Sequence, residues 1–482
     1  MLRPLKIPGA LFAGRSHTSR TTLIVATIAA SVFTYWVARF FVDELAARSL
    51  SVFVIAAVFW ATETLPLFAT SFVVIGLEII FLATEGGLAN QLTDLLAFMG
   101  IEATNHQTIK YTAFLSPFAS DIIILFMGGF LLSAALTKHN IDRAIARRIL
   151  RPFSGSPMAL LFGVIAITAF FSMWMSNTAT TAMMLAIITP VMAKLPQDAR
   201  FRRALVLAVA FGANIGGIGT PIGTPPNAIA YGALNAAGYH VTFLQWMLVC
   251  VPLEVVLLVV VGLVLHFSFR PPRDLVIEKL ELVQKITARG WMTVMILLCT
   301  IVLWLTSGWH GIKPGAVALL ATAALTSMAV LDRHDVDSID WNILILMWGG
   351  LSLSVAMKQS GLDQVIAQVN LNTLPGGGWV IAVVVTTVAV LMSTFMSNTA
   401  TASILVPMAL AAYLVDKEQY VMLAAVACSF AMAMPVSTPP NAMAYATGQV
   451  PMASMLRVGA VITVISAIAM LMSYKLMLPI IF

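Results

Sequence analysis

Residues 172–182 read Ser-Met-Trp-Met-Ser-Asn-Thr-Ala-Thr-Thr-Ala, residues 393–403 read Ser-Thr-Phe-Met-Ser-Asn-Thr-Ala-Thr-Ala-Ser, and seven of the eleven positions are identical. Each run interrupts a long apolar stretch, 157–193 and 378–412. One straight helix over the first stretch would reach about 55 Å at 1.5 Å per residue, far beyond a ~30 Å hydrocarbon core. Two half-length helices meeting at the polar run fit better. Each stretch is therefore expected to be a re-entrant hairpin with Ser-Asn-Thr at its tip.

The match extends outward. Residues 121–142 align with 342–363 at the same offset of 221, and 223–232 (GTPPNAIAYG) align with 437–446 (STPPNAMAYA) at an offset of 214, with seven of ten identical. Apolar composition alone would not reproduce Ser-Asn-Thr-Ala-Thr and Thr-Pro-Pro-Asn-Ala in the same order. The chain is an internal duplication.

Composition fixes the solvent. Of 482 residues 60% are apolar and 10% charged, with a mean hydropathy of +0.94. Soluble domains carry roughly 25% charge, so a soluble enzyme, a disordered chain and a disulfide scaffold are excluded. Apolar runs of about 20 residues suit helices that satisfy their own backbone in lipid. The expected fold class is an all-α polytopic membrane protein. It has about 11 transmembrane helices, at 22–42, 50–69, 70–84, 117–137, 203–238, 243–269, 290–308, 314–331, 341–357, 419–447 and 452–478, plus the two hairpins. The run 22–42 is too long for a signal-peptide core and reads as a retained first span.

The net charge of +6 does not imply a nucleic-acid partner, because the basic residues sit in short loops between spans. With the amino terminus cytoplasmic, 20 of the 27 Lys and Arg fall on the inner side, the usual asymmetry. That count opens the first hairpin to the inside and the second to the outside. The duplication is then an inverted-topology repeat, the mark of a secondary transporter with its site near the bilayer midplane. Cys250, Cys299 and Cys428 lie inside apolar runs without metal or disulfide spacing, and the seven histidines lie in loops or near span ends. No catalytic cluster and no organic cofactor are expected; the chain is not an enzyme.

The motifs carry the chemistry. At a hairpin tip the second half-helix presents unpaired N–H groups and the positive end of its dipole. Ser176, Asn177 and Thr178, with Ser397, Asn398 and Thr399, can cap it, and the same groups can receive a carboxylate or sulfate. The Pro-Pro pairs after Gly223-Thr224 and Ser437-Thr438 break a helix, and freed carbonyls suit a small hard cation such as sodium. The motifs hold no Arg, Lys, Asp or Glu. If the substrate is an anion, neutral dipoles must hold it and bound cations must offset its charge. Glu63 is read as a cap or brace of a scaffold helix; Glu78 and Glu254 stay unassigned.

These paired motifs resemble those of the divalent anion–sodium symporter family, over about residues 50–478. The resemblance implies a homodimer in the plasma (inner) membrane, an elevator mechanism, and di- or tricarboxylate substrates such as succinate, malate, fumarate and citrate. A sodium-independent dicarboxylate exchanger, or a carrier of sulfate or another oxyanion, is the alternative within the family. Carried over by motif, the resemblance implies substrate contacts from Asn177, Thr178, Thr224, Pro225, Asn398, Thr399, Thr438 and Pro439. It implies one sodium at Ser172, Ser176, Asn177 and Gly223 and another at Ser393, Ser397, Asn398 and Ser437.

The expected organisation is an N-terminal segment with the first span (1–49), repeat 1 (50–269), a cytoplasmic linker (270–289) and repeat 2 (290–482). Scaffold parts are 50–156 and 290–377; transport parts are 157–269 and 378–482. The basic amphipathic segment 138–151 is expected to form an interfacial helix joining the two, matched outside by 358–377.

Overall fold

The computed structural model describes residues 17–101, 108–195, 200–271, 286–368, 377–412 and 416–476. Among these residues the chain is helical, with one isolated β-bridge between Glu85 and Lys110. Nine described helices are long and apolar enough to cross a bilayer.

Each of the eleven expected spans has a counterpart. They are His17–Ala38, Glu44–Thr62, Leu67–Leu82, Asp121–Lys138, Arg200–Gly216 with Pro225–Ala236, Phe243–Ser268, Ala288–Leu305, Pro314–Ser327, Trp341–Gln359, Lys417–Cys428 with Pro439–Ala446, and Met452–Leu476. Two of them, read as the stretches 203–238 and 419–447 with a break expected at each Pro-Pro pair, are interrupted at 217–224 and 429–438. The prolines do not sit in the gaps. They occupy the first two positions of the second half-helix, where a missing N–H removes no helical bond. The turn between the second and third spans also lies earlier than the 69/70 junction, at 63–66. Glu63 closes the first of these helices in a left-handed conformation (φ 46°) and Pro66 precedes the next, and neither residue continues a helix readily.

The hairpins form as expected from length. Pro157–Ser172 and Asn177–Ala193 meet at 173–176, and Gly377–Phe395 and Asn398–Ala411 meet at Met396 and Ser397. The four arms have 16, 17, 19 and 14 residues, so each is shorter than the ~30 Å hydrocarbon core at 1.5 Å per residue. The basic segment forms the helix Ile141–Leu150, whose Ile141, Ala146 and Leu150 are buried. Most of the expected linker (272–285), residues 369–376, and Arg3, Lys6 and Arg15 lie outside the described residues.

The two copies pack in a crossed fashion. Arg200–Gly216 lies against Pro439–Ala446, and Pro225–Ala236 lies against Lys417–Cys428. The first part of one broken span thus meets the last part of the other, so the two run antiparallel. Burial follows this centre: nearly all of Arg200–Gly219 is buried, whereas the first helix is mostly exposed. Lys138 Nζ, at the end of Asp121–Lys138, is 2.8 Å from Asp332 and 2.5 Å from Asp335. That pair puts Lys138 and the Arg333 segment on one side, where the loop-charge reading also put both.

Two glycine pairs set close helix contacts. A Cβ added at Gly128 would fall 2.6 Å from the Ala318 Cβ, and one at Gly349 would fall 2.5 Å from the Ser71 Cβ. Their neighbours differ: at Gly129 the nearest atom is 3.7 Å away. Gly128→Ala is therefore expected to lower thermal stability, by about 1–3 kcal/mol as overpacking does, while Gly129→Ala is nearly neutral. Melting of the two detergent-solubilised variants, followed by size exclusion, checks the difference; equal midpoints would refute the packing argument.

Candidate functional site

Four helix N-termini converge on one cavity of about 1080 Å³. They belong to the second arms of both hairpins, Asn177–Ala193 and Asn398–Ala411, and to the second halves of both broken spans, Pro225–Ala236 and Pro439–Ala446. All eight expected substrate contacts line it: Asn177, Thr178, Thr224, Pro225, Asn398, Thr399, Thr438 and Pro439. Of the expected sodium set, Ser176, Asn177, Gly223, Ser397, Asn398 and Ser437 line it, whereas Ser172 and Ser393 are fully buried behind the tips.

The capping groups explain the local geometry. Ser176 holds extended backbone at the first tip and its Oγ accepts from the Ala179 N–H at 3.2 Å. Ser397 has the same backbone but makes no side-chain cap bond. Thr438 Oγ1 accepts from the Asn441 N–H at 3.2 Å. In the first break, Asn227 Nδ2 donates to the carbonyls of Gly217 (3.1 Å), Ile218 (3.2 Å) and Thr220 (2.9 Å). In the second, Asn441 Nδ2 donates to the Met434 carbonyl at 3.1 Å and to Ser437 Oγ at 3.2 Å. The Asn of each Thr-Pro-Pro-Asn motif is thus the buried tie that satisfies carbonyls freed by the break.

Oxygen clusters lie behind both tips. One end of the Asn177 amide is 2.7 Å from Ser172 Oγ, 3.3 Å from the Ala213 carbonyl and 3.1 Å from the Gly223 carbonyl. Either the amide NH₂ faces these oxygens, or Oδ1 faces them around a cation. In the second copy Ser393 Oγ lies 2.5 Å from Asn398 Oδ1 and 2.6 Å from the Cys428 carbonyl. Ser437 Oγ lies 2.6 Å from the Ala431 carbonyl and 2.7 Å from that of Met434.

Several lining residues escaped the motif reading. Asn214 spans the two copies, its Nδ2 donating to Thr438 Oγ1 at 3.1 Å and to Asn441 Oδ1 at 3.0 Å. Glu63 and Asp340 line the cavity from the helices beside the hairpins. Glu63 thus reaches the cavity besides closing its helix. Asp121, by contrast, is a brace: its Oδ1 accepts from the Gly315 N–H at 2.9 Å, while its counterpart Asn342 lines the cavity. Among the described residues no Lys, Arg or His lines the cavity.

The sequence profile described as the sodium:sulfate symporter transmembrane region matches residues 17–481. The chain belongs to the divalent anion–sodium symporter family. An uncharacterized transporter of Haemophilus influenzae is 32% identical over 374 residues, covering 73% of this chain and 80% of that protein. The sodium-dependent dicarboxylate transporter SdcS of Staphylococcus saprophyticus is 28% identical over 480 residues, covering 91% and 88%. SdcS of Staphylococcus aureus (strain USA300) is 29% identical over 465 residues, covering 88% and 84%. The crystal structure of the Alcanivorax borkumensis YdaH transporter shares the fold, with a TM-score of 0.56 at 14% identity, over 86% of this chain and 98% of that one. This family member is a multi-pass integral membrane transporter and not an enzyme.

Proposed function

We propose that this transporter moves C4-type dicarboxylates (succinate, malate or fumarate, with citrate as a larger candidate) across the plasma membrane in company with sodium. The single observation that carries the reading is the convergence of four helix N-termini on a cavity without a cationic side chain. Four positive dipole ends, with the free N–H groups of the two hairpin arms, suit an anion with two separated charges; the two broken-span ends begin with Pro-Pro and lend their dipoles alone. Neutral dipoles leave most of that charge uncompensated in a low-dielectric site.

Sodium at the two oxygen clusters supplies the balance. Asn177 and Asn398 each reach the cavity and a cluster together. A carboxylate on one side of such a residue and a sodium on the other strengthen one another. The SdcS relatives are sodium-dependent dicarboxylate transporters, in keeping with this pairing. With the loop-charge orientation, the exposed lining residues Asp340, Tyr445, Gly448, Pro451 and Met452 mark an inner mouth, and the state described is inward-facing.

Succinate binding is expected to weaken at least several-fold when choline replaces sodium, and sodium binding to weaken by the same factor without succinate, since coupling is reciprocal. Binding to purified protein, and uptake of labelled succinate into proteoliposomes, read both. Equal succinate affinity in the two buffers would sink the sodium argument and favour a sodium-independent exchanger.

A further inference from the structure

Glu254 lies midway along Phe243–Ser268, is 3% exposed, and has an Oε2 without a hydrogen-bond partner among the described residues. It presses on the break in the first broken span. A Cβ added at Gly219 would fall 2.1 Å from Glu254 Oε2 and 3.1 Å from the Met173 Cε, so only glycine leaves room for the carboxyl. The same turn, Gly217–Gly219, presses on the hairpin tip from its other end. A Cβ at Gly217 would fall 2.5 Å from the Asn177 Oδ1, and one at Gly223 would fall 2.4 Å from the Gly217 carbonyl. Between them, Trp246 on the Glu254 helix donates its Nε1–H to the Ile218 carbonyl at 3.2 Å. One rigid turn therefore separates the carboxyl from the Asn177 oxygen cluster.

Charged neighbours do not compensate Glu254. The titratable group facing it is the Cys250 thiol, one turn earlier on its own helix, which also carries His266 near its end. Of the elements packed against this helix, Pro157–Ser172 and Gly217–Gly219 hold no titratable residue. Arg200–Gly216 holds Arg200, Arg202 and Arg203, all in its first four residues and about 20–24 Å along the helix from the break at 1.5 Å per residue. Met452–Leu476 holds Arg457, Tyr474 and Lys475, and Ala288–Leu305 holds Arg289 and Cys299. None of these cations forms a salt bridge with Glu254 among the described residues. An ionised carboxylate without a counter-charge or donor is disfavoured in such surroundings. Protonation removes the charge: a proton from water forms an O–H bond, and the acid becomes a donor toward the turn it abuts.

We propose that Glu254 is a proton-binding site whose protonation antagonises sodium at the Asn177 cluster. Ionised, it adds a negative charge behind the turn and favours a cation there; protonated, it withdraws that charge. This rests on the reading of the cluster as a sodium site. The test is sodium affinity of the purified protein from mildly acidic to mildly alkaline buffer, wild type against Glu254→Gln. Glutamine copies the shape of the protonated acid. In the wild type acid is expected to raise the sodium midpoint about five-fold or more; in E254Q the midpoint is independent of pH. Infrared difference spectra of both proteins, taken with neither sodium nor substrate, show whether a protonated carboxyl disappears on substitution. No lost band would overturn the proton site. A lost band with identical sodium–pH profiles would overturn the antagonism. A lost band with no sodium binding in either protein would overturn the sodium reading of the cluster and the antagonism with it.

Discussion

Asn177→Ala and Asn398→Ala are each expected to abolish uptake while leaving a folded, monodisperse protein. Both side chains stand at helix N-termini that line the cavity, and both also touch the oxygen cluster behind the tip. Truncation removes a partner from the substrate and from the cluster in one step. Each lost interaction is worth about 1–3 kcal/mol, or roughly 5- to 150-fold in affinity. The buried Ser172 and Ser393 hydroxyls would keep their bonds to the Ala213 and Cys428 carbonyls, so the hairpins should still form. Binding of labelled dicarboxylate by the purified variants, beside their elution profiles, checks this. Affinity retained within about two-fold in both variants would place the site elsewhere.

The near-equivalence of these two residues was legible in the sequence because each occurs in a repeated polar run inside apolar surroundings. Polar residues are costly in lipid, so a copied polar run marks something that both halves need. The same logic hid Asn214. It bonds Thr438 and Asn441 across the copies, yet the second half has Cys428 at the corresponding offset. A group that works across an interface between two copies need not be duplicated, and a search for symmetry passes over it. Glu63 and Asp340 were hidden for a different reason. They sit at helix ends in the proposed scaffold, where an acidic residue reads as a cap, and only the tertiary packing turns them toward the cavity. The Pro-Pro pairs announced a break but not its position, because proline fits the first turn of a helix better than its interior.

The boundary between the proposed moving and fixed parts is where the last large effect is expected. Each glycine pair faces two ways: Gly128 meets Ala318 and Gly349 meets Ser71, whereas Gly129 meets Ile222 in the first break and Gly350 meets Ser403 in the second hairpin. The outer partners belong to the proposed scaffold and the inner ones to the proposed moving block, 157–269 with 378–482. A surface without side chains offers few interlocking ridges, which suits a block sliding past a fixed wall. Alternating access by such a slide would carry both hairpins and both broken spans together. Cysteines at Gly129 and Ile222 would test it, in a background with Cys250, Cys299 and Cys428 replaced. A Cβ at Gly129 lies 3.9 Å from that of Ile222, close to the ~3.8 Å mean of disulfides. Oxidation is expected to reduce transport to background, to leave dicarboxylate binding in place, and to be reversed by reductant. The reduced double variant serves as its own control for any direct effect of changing Ile222. If a fully cross-linked population still transported at the reduced rate, the block would not be moving, and a local gate at the hairpin tips would have to carry the exchange of access.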